Sequence, residues 1–169
     1  MPETLTALAR FDAAPDAEAR RLLLTCCASR AFAAAVAAGR PYEDPERLLE
    51  AAGAAVRGLD WPDVLEALAA HPRIGERPEG AGREAAWSRQ EQAGVEEGTR
   101  RELAEGNRAY EDRFGHVYLV CAAGLSGAEL LARLRGRLGN DPEDERAVVR
   151  GELAKITRLR IRKLLGETP

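Results

Sequence analysis

The chain has 169 residues, of which 45% are hydrophobic and 31% are charged, and its net charge is -3 at pH 7. This length is typical of one domain with a sizeable core. The slightly acidic balance argues against a general nucleic-acid binder, which normally carries a basic excess, and no apolar run approaches the length of a membrane span.

The amino terminus lacks the basic and then apolar layout of a signal peptide. The three cysteines include an adjacent pair, Cys26 and Cys27, and such a pattern does not indicate a disulfide framework. The two histidines and three cysteines show no CxxC or HxxxH spacing, which argues against a zinc site. We therefore expect a cytoplasmic protein with reduced thiols, no bound metal and no membrane or nucleic-acid partner.

Apolar residues at helical spacing, together with capping signals, predict helices along nearly the whole chain. Capping residues are predicted at Ser29, Asp44, Ser126 and Asp141. One helix is expected to bury Val64, Leu65 and Leu68. In chain order, the predicted helices cover residues 4–10, 16–26, 32–38, 45–58, 61–70, 83–93, 95–113, 127–138 and 142–165.

The stretch from His116 to Gly124 interrupts this pattern. It is apolar, partly β-branched, bounded by glycines and too short for a typical helix. We expect a buried, extended or irregular backbone that offers free N–H groups to a ligand. Since its pattern indicates neither a pair of strands nor a repeat, the sequence predicts an all-α, single-domain irregular helical bundle over residues 1–169, with one short buried non-helical segment near 116–124.

His71 is a candidate catalytic residue because it stands immediately before Pro72 at the end of a predicted helix. Proline disfavours helical geometry in the residue before it, so the histidine is held in a non-helical conformation. After a polar loop, the next predicted helix presents Ser88, Glu91 and Gln92 on one face, at i, i+3 and i+4. An imidazole and a carboxylate in one cleft can act as a general acid and base.

Purely structural roles remain open for these residues. His71 could cap the preceding helix, and Glu91 could be a solvated helix charge. We favour a core role for His116, and a packing and hydrogen-bonding role between helices for Asn107 and Tyr110. The arginines near the carboxyl terminus are expected to form a solvated face with one or two internal pairs.

Three motifs occur in a fixed order: His71-Pro72-Arg73-Ile74-Gly75, Ser88-x-x-Glu91-Gln92 and Asn107-x-x-Tyr110-x-x-x-Phe114-Gly115. Together they resemble the OHCU decarboxylases of uric acid degradation, where OHCU is 2-oxo-4-hydroxy-4-carboxy-5-ureidoimidazoline. Residues 138–141, 156–160 and 164–165 are similar to the bacterial branch. The resemblance covers nearly the whole chain.

The resemblance implies an all-helical, cofactor-free enzyme, usually a homodimer, that converts OHCU to (S)-allantoin and carbon dioxide. It makes His71 the catalytic acid or base, and Glu91 would orient it or bind a ring N–H. The expected substrate-binding residues are Pro72, Ser88, Arg89, Gln90, Gln92, Leu119, Val120, Cys121, Ala122 and Ala123.

One position departs from the family pattern. Some members have an arginine where this chain has Ala123, directly after Cys121-Ala122. A substrate contact made by that arginine is then missing, or another arginine supplies it; the candidates are Arg73, Arg89 and Arg160.

Three other functions are compatible with parts of the sequence. A non-enzymatic helical interaction module would need no meeting of His71 with Glu91. The same scaffold could act on a related ureido or purine-breakdown substrate, with Ala123 marking the change. A nucleic-acid binder that uses the basic last helix is the weakest alternative, given the acidic balance.

Overall fold

The computed structural model describes residues 5–75 and 97–166, and within these ranges the chain forms eight α-helices and no strand. This confirms the predicted all-α class. The predicted helix over residues 83–93 lies outside the described residues. The observed helices are α1 (Ala7–Ala13), α2 (Asp16–Cys26), α3 (Arg30–Ala38), α4 (Pro45–Arg57), α5 (Trp61–Leu68), α6 (Glu97–Phe114), α7 (Gly127–Arg137) and α8 (Pro142–Leu164).

Side-chain caps begin several helices where the sequence predicts them. The Ser29 hydroxyl accepts the Phe32 N–H at the start of α3, and the Asp44 carboxylate accepts an N–H of α4, whose first residue is Pro45. At the start of α7, Ser126 and Glu129 form a reciprocal capping box. Each cap satisfies an N–H group that has no partner inside its helix.

The chain divides into two compact units, Met1–Glu66 with Ala154–Pro169, and Ala67–Leu153. In the first unit, α3 packs against α2 and α4. The Asp12 carboxylate accepts the N–H groups of Tyr42 and Glu43, both at 2.9 Å, and this ties α1 to the turn before α4. Glu66 accepts the N–H of Arg30 at 2.8 Å and so adds a second cap to α3.

In the second unit, α6 packs against α7. A Cβ atom at Gly106 would lie 2.8 Å from a methyl carbon of Leu134, so glycine allows the close approach of these helices. The core cluster of this unit consists of Ile74, Leu103, Tyr110, Tyr118, Val120, Ala122, Leu130, Leu131 and Leu134.

Two predicted orientations are wrong. Leu65 is 38% exposed, because the buried stripe of α5 is Val64, Ala67 and Leu68, at i, i+3 and i+4, and Leu65 falls beside it. Arg160 is fully buried rather than solvated, because its register places it on the buried stripe of α8.

None of the helices in the described ranges has the length and apolar character needed to cross a bilayer.

Candidate active site

His71 lies directly after α5, in a short non-helical stretch that continues to Gly75. Its backbone N–H donates to the Leu68 carbonyl at 3.0 Å, and the helix ends at Leu68 rather than at the predicted Ala70. The difference arises because the last hydrogen bonds span three residues and tighten the chain before Pro72. His71 and Pro72 are both half-buried, so this residue pair keeps access to solvent.

The three residues that follow Pro72 are each held by one side chain of α6. One contact is a carboxylate–guanidinium pair, and the other two are hydrogen bonds to backbone carbonyls. The contacts join Arg73 to Glu111, Ile74 to Asn107 and Gly75 to Arg100. Because the partners occur in reverse order along α6, residues 71–75, here named the histidine segment, run antiparallel to the helix.

Asn107 makes the most buried of these three contacts. It is 1% exposed, and its Nδ2 donates to the Ile74 carbonyl at 2.8 Å. The Arg73–Glu111 pair, at 2.9 Å, is more open, with side-chain exposures of 51% and 26%. The predicted hydrogen-bonding role of Asn107 is confirmed, although its partner is the backbone of a loop rather than a second helix.

Gly75 ends the histidine segment in a conformation that favours glycine. Its φ is +93°, and a Cβ atom there would lie 3.3 Å from the Cβ of Leu103 on α6. A larger residue would therefore meet both backbone strain and a close contact. This glycine lets the chain lie directly against α6.

Residues 116–124, here named the apolar segment, form a second non-helical stretch, between α6 and α7. Its buried members are Tyr118, Leu119, Val120 and Ala122. Cys121 is partly exposed, and Ala123 is exposed because it lies in the turn that leads into α7. The predicted buried, non-helical stretch is thus confirmed for its centre and wrong for its end.

A buried ion pair fixes the backbone of the apolar segment. Arg137 at the end of α7 donates to the Leu119 carbonyl through Nη1 at 2.6 Å, and its Nε lies 2.8 Å from the carboxylate of Glu145. The same carboxylate accepts hydrogen bonds from the Tyr110 phenol and from Asn140 Nδ2. Glu145 is fully buried and Arg137 is 9% exposed. Buried charges are tolerated because they are paired and hydrogen-bonded in this way.

Burial changes the acidity of the groups in this cluster. Burial raises the pKa of the Tyr118 phenol to about 12. Burial and the hydrogen bond to Glu145 raise the pKa of Tyr110 above its ordinary value. Burial by itself would lower the pKa of Arg137, but the carboxylate of Glu145 raises it above the ordinary value. The phenols therefore stay neutral and the guanidinium stays charged at neutral pH.

Some backbone groups of the apolar segment are hydrogen-bonded within the protein, and others remain available to a ligand. The Leu119 carbonyl is occupied by Arg137, and the Cys121 N–H donates to the Glu152 carboxylate at 3.4 Å. Within the described ranges, the N–H groups of Val120 and Ala122 meet no acceptor. These two groups can donate hydrogen bonds to a ligand.

The structure brings the two segments onto one core. Ile74 of the histidine segment belongs to the same buried cluster as Val120 and Ala122. Five other predicted site residues lie outside the described residues, and they are Ser88, Arg89, Gln90, Glu91 and Gln92.

The arginines that could replace a substrate contact at Ala123 have different surroundings. Arg73 pairs with Glu111, Arg89 lies outside the described residues, and Arg160 is fully buried.

In the described part of the chain, no three His, Cys, Asp or Glu side chains are grouped so that they could hold a metal ion.

Three structural residues of the site were not predicted from the sequence: Arg137, Glu145 and Glu152. The sequence did contain a signal for them. Arg137 continues the buried stripe of Leu130 and Leu134 at i+7, and Glu145 and Glu152 flank Val149 in the same way. A charged residue at an apolar position indicates a buried polar contact.

The chain is similar to known proteins over most of its length. The family model for OHCU decarboxylase matches residues 12–162. The 2-oxo-4-hydroxy-4-carboxy-5-ureidoimidazoline decarboxylase of Amia calva is 33% identical over 138 residues, which cover 79% of this chain and 79% of that protein. The uric acid degradation bifunctional protein TTL of Arabidopsis thaliana is 32% identical over 84% of this chain, but the match spans 46% of its own length.

A solved structure is similar as well. The crystal structure of an OHCU decarboxylase in the presence of (S)-allantoin superposes with a TM-score of 0.76 at 30% identity. The match covers 91% of this chain and 100% of that one.

Proposed function

The chain belongs to the OHCU decarboxylase family, a family of carboxy-lyases, and we propose that it converts OHCU to (S)-allantoin and carbon dioxide, with His71 as the acid or base. The observation that carries this proposal is the family match over residues 12–162. The half-buried, restrained position of His71 supports it, because an acid or base must reach its substrate from a defined place.

The reaction requires few groups. The bond between the ring carbon and the carboxyl carbon breaks, and its electron pair is delocalised into the ring as carbon dioxide leaves. A proton is then delivered to one face of the ring. His71 engages the 4-hydroxyl or delivers that proton, and the ring itself accepts the electrons, so no cofactor is required.

Binding is divided between side chains and backbone. The N–H groups of Val120 and Ala122 are suited to the ring carbonyls or the ureido group, because they meet no acceptor in the described residues. Pro72 and Cys121, both partly exposed, line the site. Four residues outside the described ranges are proposed from the sequence to complete the binding site: Ser88, Arg89, Gln90 and Gln92. Glu91, also outside those ranges, is proposed to orient His71 or to bind a ring N–H.

The remaining expectations from the sequence are part of the same proposal. The chain acts as one domain of this family over residues 1–169, in the cytoplasm, and forms a homodimer. Sedimentation of the purified protein tests the dimer, because a monomer at the concentrations used for the assay would contradict it.

The test of the activity generates OHCU in place from urate, with uricase and the hydrolase that precedes this step. The chirality of the allantoin is then followed by circular dichroism. The protein is expected to give rapid, purely (S) product. His71→Asn and Glu91→Gln are compared with it, and His71→Asn is expected to lower the rate by about 10²–10⁴-fold, the usual contribution of one acid or base.

The controls separate the site from the fold. His116→Asn changes the other histidine and is expected to leave the rate close to that of the unmodified chain. Slow racemic product, equal to the uncatalysed background, would contradict the proposed activity. Near-normal turnover by His71→Asn would remove His71 from the mechanism.

A further inference from the structure

We propose that Asn107 is a positioning residue for His71, and that it acts through the carbonyl of Ile74. This inference rests on the proposed function, because it assigns a role to a group that supports the catalytic histidine. Only 1% of the area of Asn107 is exposed, so its side chain acts inside the protein and not on solvent. Its Nδ2 donates to the Ile74 carbonyl across 33 positions of the chain.

The backbone is held by a hydrogen bond on each side of Pro72. On one side, the His71 N–H is held by the Leu68 carbonyl at 3.0 Å. On the other side, the Ile74 carbonyl is held by Asn107 at 2.8 Å. Pro72 lies between these two points and has a fixed φ. The chain that carries the imidazole is thus fixed at both ends and stiffened between them.

Of the three contacts with α6, that of Asn107 is expected to matter most for His71. The Arg73–Glu111 pair is partly exposed, and exposed pairs contribute little. Arg100 reaches the last residue of the segment, Gly75, which is farther from His71 along the chain. Asn107 makes a buried hydrogen bond to a residue three positions from His71, where loss of the donor would leave a buried carbonyl unsatisfied.

The residue that Asn107 holds also belongs to the core beneath the proposed substrate-binding backbone. Ile74 belongs to the core cluster that also contains Val120 and Ala122 of the apolar segment. Asn107 therefore fixes the histidine segment at the residue that shares a core cluster with the backbone that we propose binds the substrate. A displacement of about 1 Å at such a place can cost on the order of 100-fold in rate.

The test uses Asn107→Ala, which removes the donor, and Arg100→Met, which removes the donor to Gly75 but keeps most of the apolar stem. Arg108→Met is the matched control, because Arg108 is an exposed arginine of the same helix. The kcat and KM of each variant are measured with OHCU generated in place. Asn107→Leu, which is close to asparagine in size and also lacks the donor, supplies the same readout if Asn107→Ala does not fold. Arg100→Met is expected to have the smaller effect, because Gly75 lies farther from His71 along the chain.

The second readout does not depend on the reaction. The chain contains two histidines, so protein labelled with nitrogen-15 at histidine gives two sets of imidazole signals, and His71→Asn assigns them. We expect Asn107→Ala to shift or broaden the signals of His71 and to leave those of His116 unchanged. We also expect kcat to fall by about 10-fold or more with little change in KM, while Arg108→Met alters neither quantity.

The outcomes are distinct. A fall in kcat without any change in the His71 signals would overturn the inference, and so would an unchanged kcat. If His71→Asn keeps full activity, the proposed role of His71 fails by that result alone, and the positioning role for catalysis fails with it. A joint change in kcat and in the His71 signals supports the inference.

Discussion

The two non-helical segments of the second unit are held in place in different ways. The histidine segment lies along α6 through three separate contacts, and one of them is a partly exposed pair. The apolar segment is fixed by the buried pair of Arg137 and Glu145, because Arg137 donates a hydrogen bond to the Leu119 carbonyl. In the proposed function, the histidine segment presents a side chain to the substrate, and the apolar segment presents backbone groups.

This difference fits what each segment is proposed to supply. An imidazole that exchanges protons needs access to the substrate, so its support must leave it half-exposed. Backbone donors work best when they are rigid, and a fully hydrogen-bonded buried pair provides rigidity. We therefore expect changes around Glu145 to act mainly on stability, and changes around His71 to act mainly on rate.

The largest effect on stability is expected from Glu145→Gln. The substitution removes the charge that compensates buried Arg137, and breaking a buried pair in this way costs about 3–5 kcal/mol. The free energy of unfolding is measured by denaturant titration. Arg135→Met is the control, because Arg135 is an exposed arginine of α7, the helix that carries Arg137, with 64% of its side chain accessible.

The same experiment can disprove this difference between the two segments. If Glu145→Gln unfolds at nearly the denaturant concentration of the unmodified protein, the ion pair does not fix the apolar segment. The double variant Arg137→Met with Glu145→Leu sharpens the test, because it leaves no unpaired charge. It is expected to lose less stability than the sum of the two single losses.

The second largest loss of stability is expected at alkaline pH, through the buried tyrosine of the apolar segment. Burial raises the pKa of Tyr118 from 10.0 to about 12, so its phenol stabilises the fold fully below pH 10. That contribution, on the order of 2–3 kcal/mol, is lost as the pH rises through the folded pKa. Burial likewise raises the pKa of Tyr110 and of Tyr42.

The measurement compares ionisation with unfolding. Tyrosinate absorbance and far-ultraviolet circular dichroism are recorded over the same alkaline titration, and all three tyrosines of the chain are expected to ionise together with unfolding. A tyrosine that titrates near its ordinary pKa while the helices remain intact would show that it is open to solvent. Tyr118→Phe is expected to reduce the loss of stability above pH 10.

Glycine substitutions provide a smaller and more local comparison, because each segment contains a glycine with positive φ. Gly75→Ala places a Cβ 3.3 Å from Leu103 at φ +93°, whereas Gly124→Ala at φ +77° meets no atom within 4 Å. Backbone strain costs each variant about 1–2 kcal/mol. Only Gly75→Ala is expected to lower kcat as well, and equal effects on kcat would remove the special role of the histidine segment.

The sequence predicts much of the fold because its signals are local. Ser29, Asp44 and Ser126 are side chains that accept N–H groups two or three residues away, so the helix starts could be placed from short motifs. The apolar segment was also recognisable, because an apolar, partly β-branched stretch between glycines is too short for a typical helix. Its exposed end at Ala123 depends on the following turn and was missed.

The contacts of the site depend on long-range pairing, which a single sequence does not specify. Asn107 meets Ile74, and Glu145 meets Tyr110, at separations of 33 and 35 residues. Helical spacing shows that Arg137 lies on an apolar face, but it does not show that its partners are Glu145 and the Leu119 carbonyl. Arg160 was misjudged because arginine is rarely fully buried, although its spacing from Leu153 and Ile156 places it on the buried stripe of α8.

The smallest effect is expected from Glu111→Gln, which breaks the exposed contact of the histidine segment. The Arg73–Glu111 pair is partly open to solvent, and such pairs contribute roughly 0.2–1 kcal/mol. Salt screens them further, so the difference from the unmodified chain should shrink in concentrated salt. Denaturant unfolding at low and high salt measures it. A salt-independent loss as large as that of Glu145→Gln would mean that both segments depend on buried charge, and the contrast between them would no longer hold.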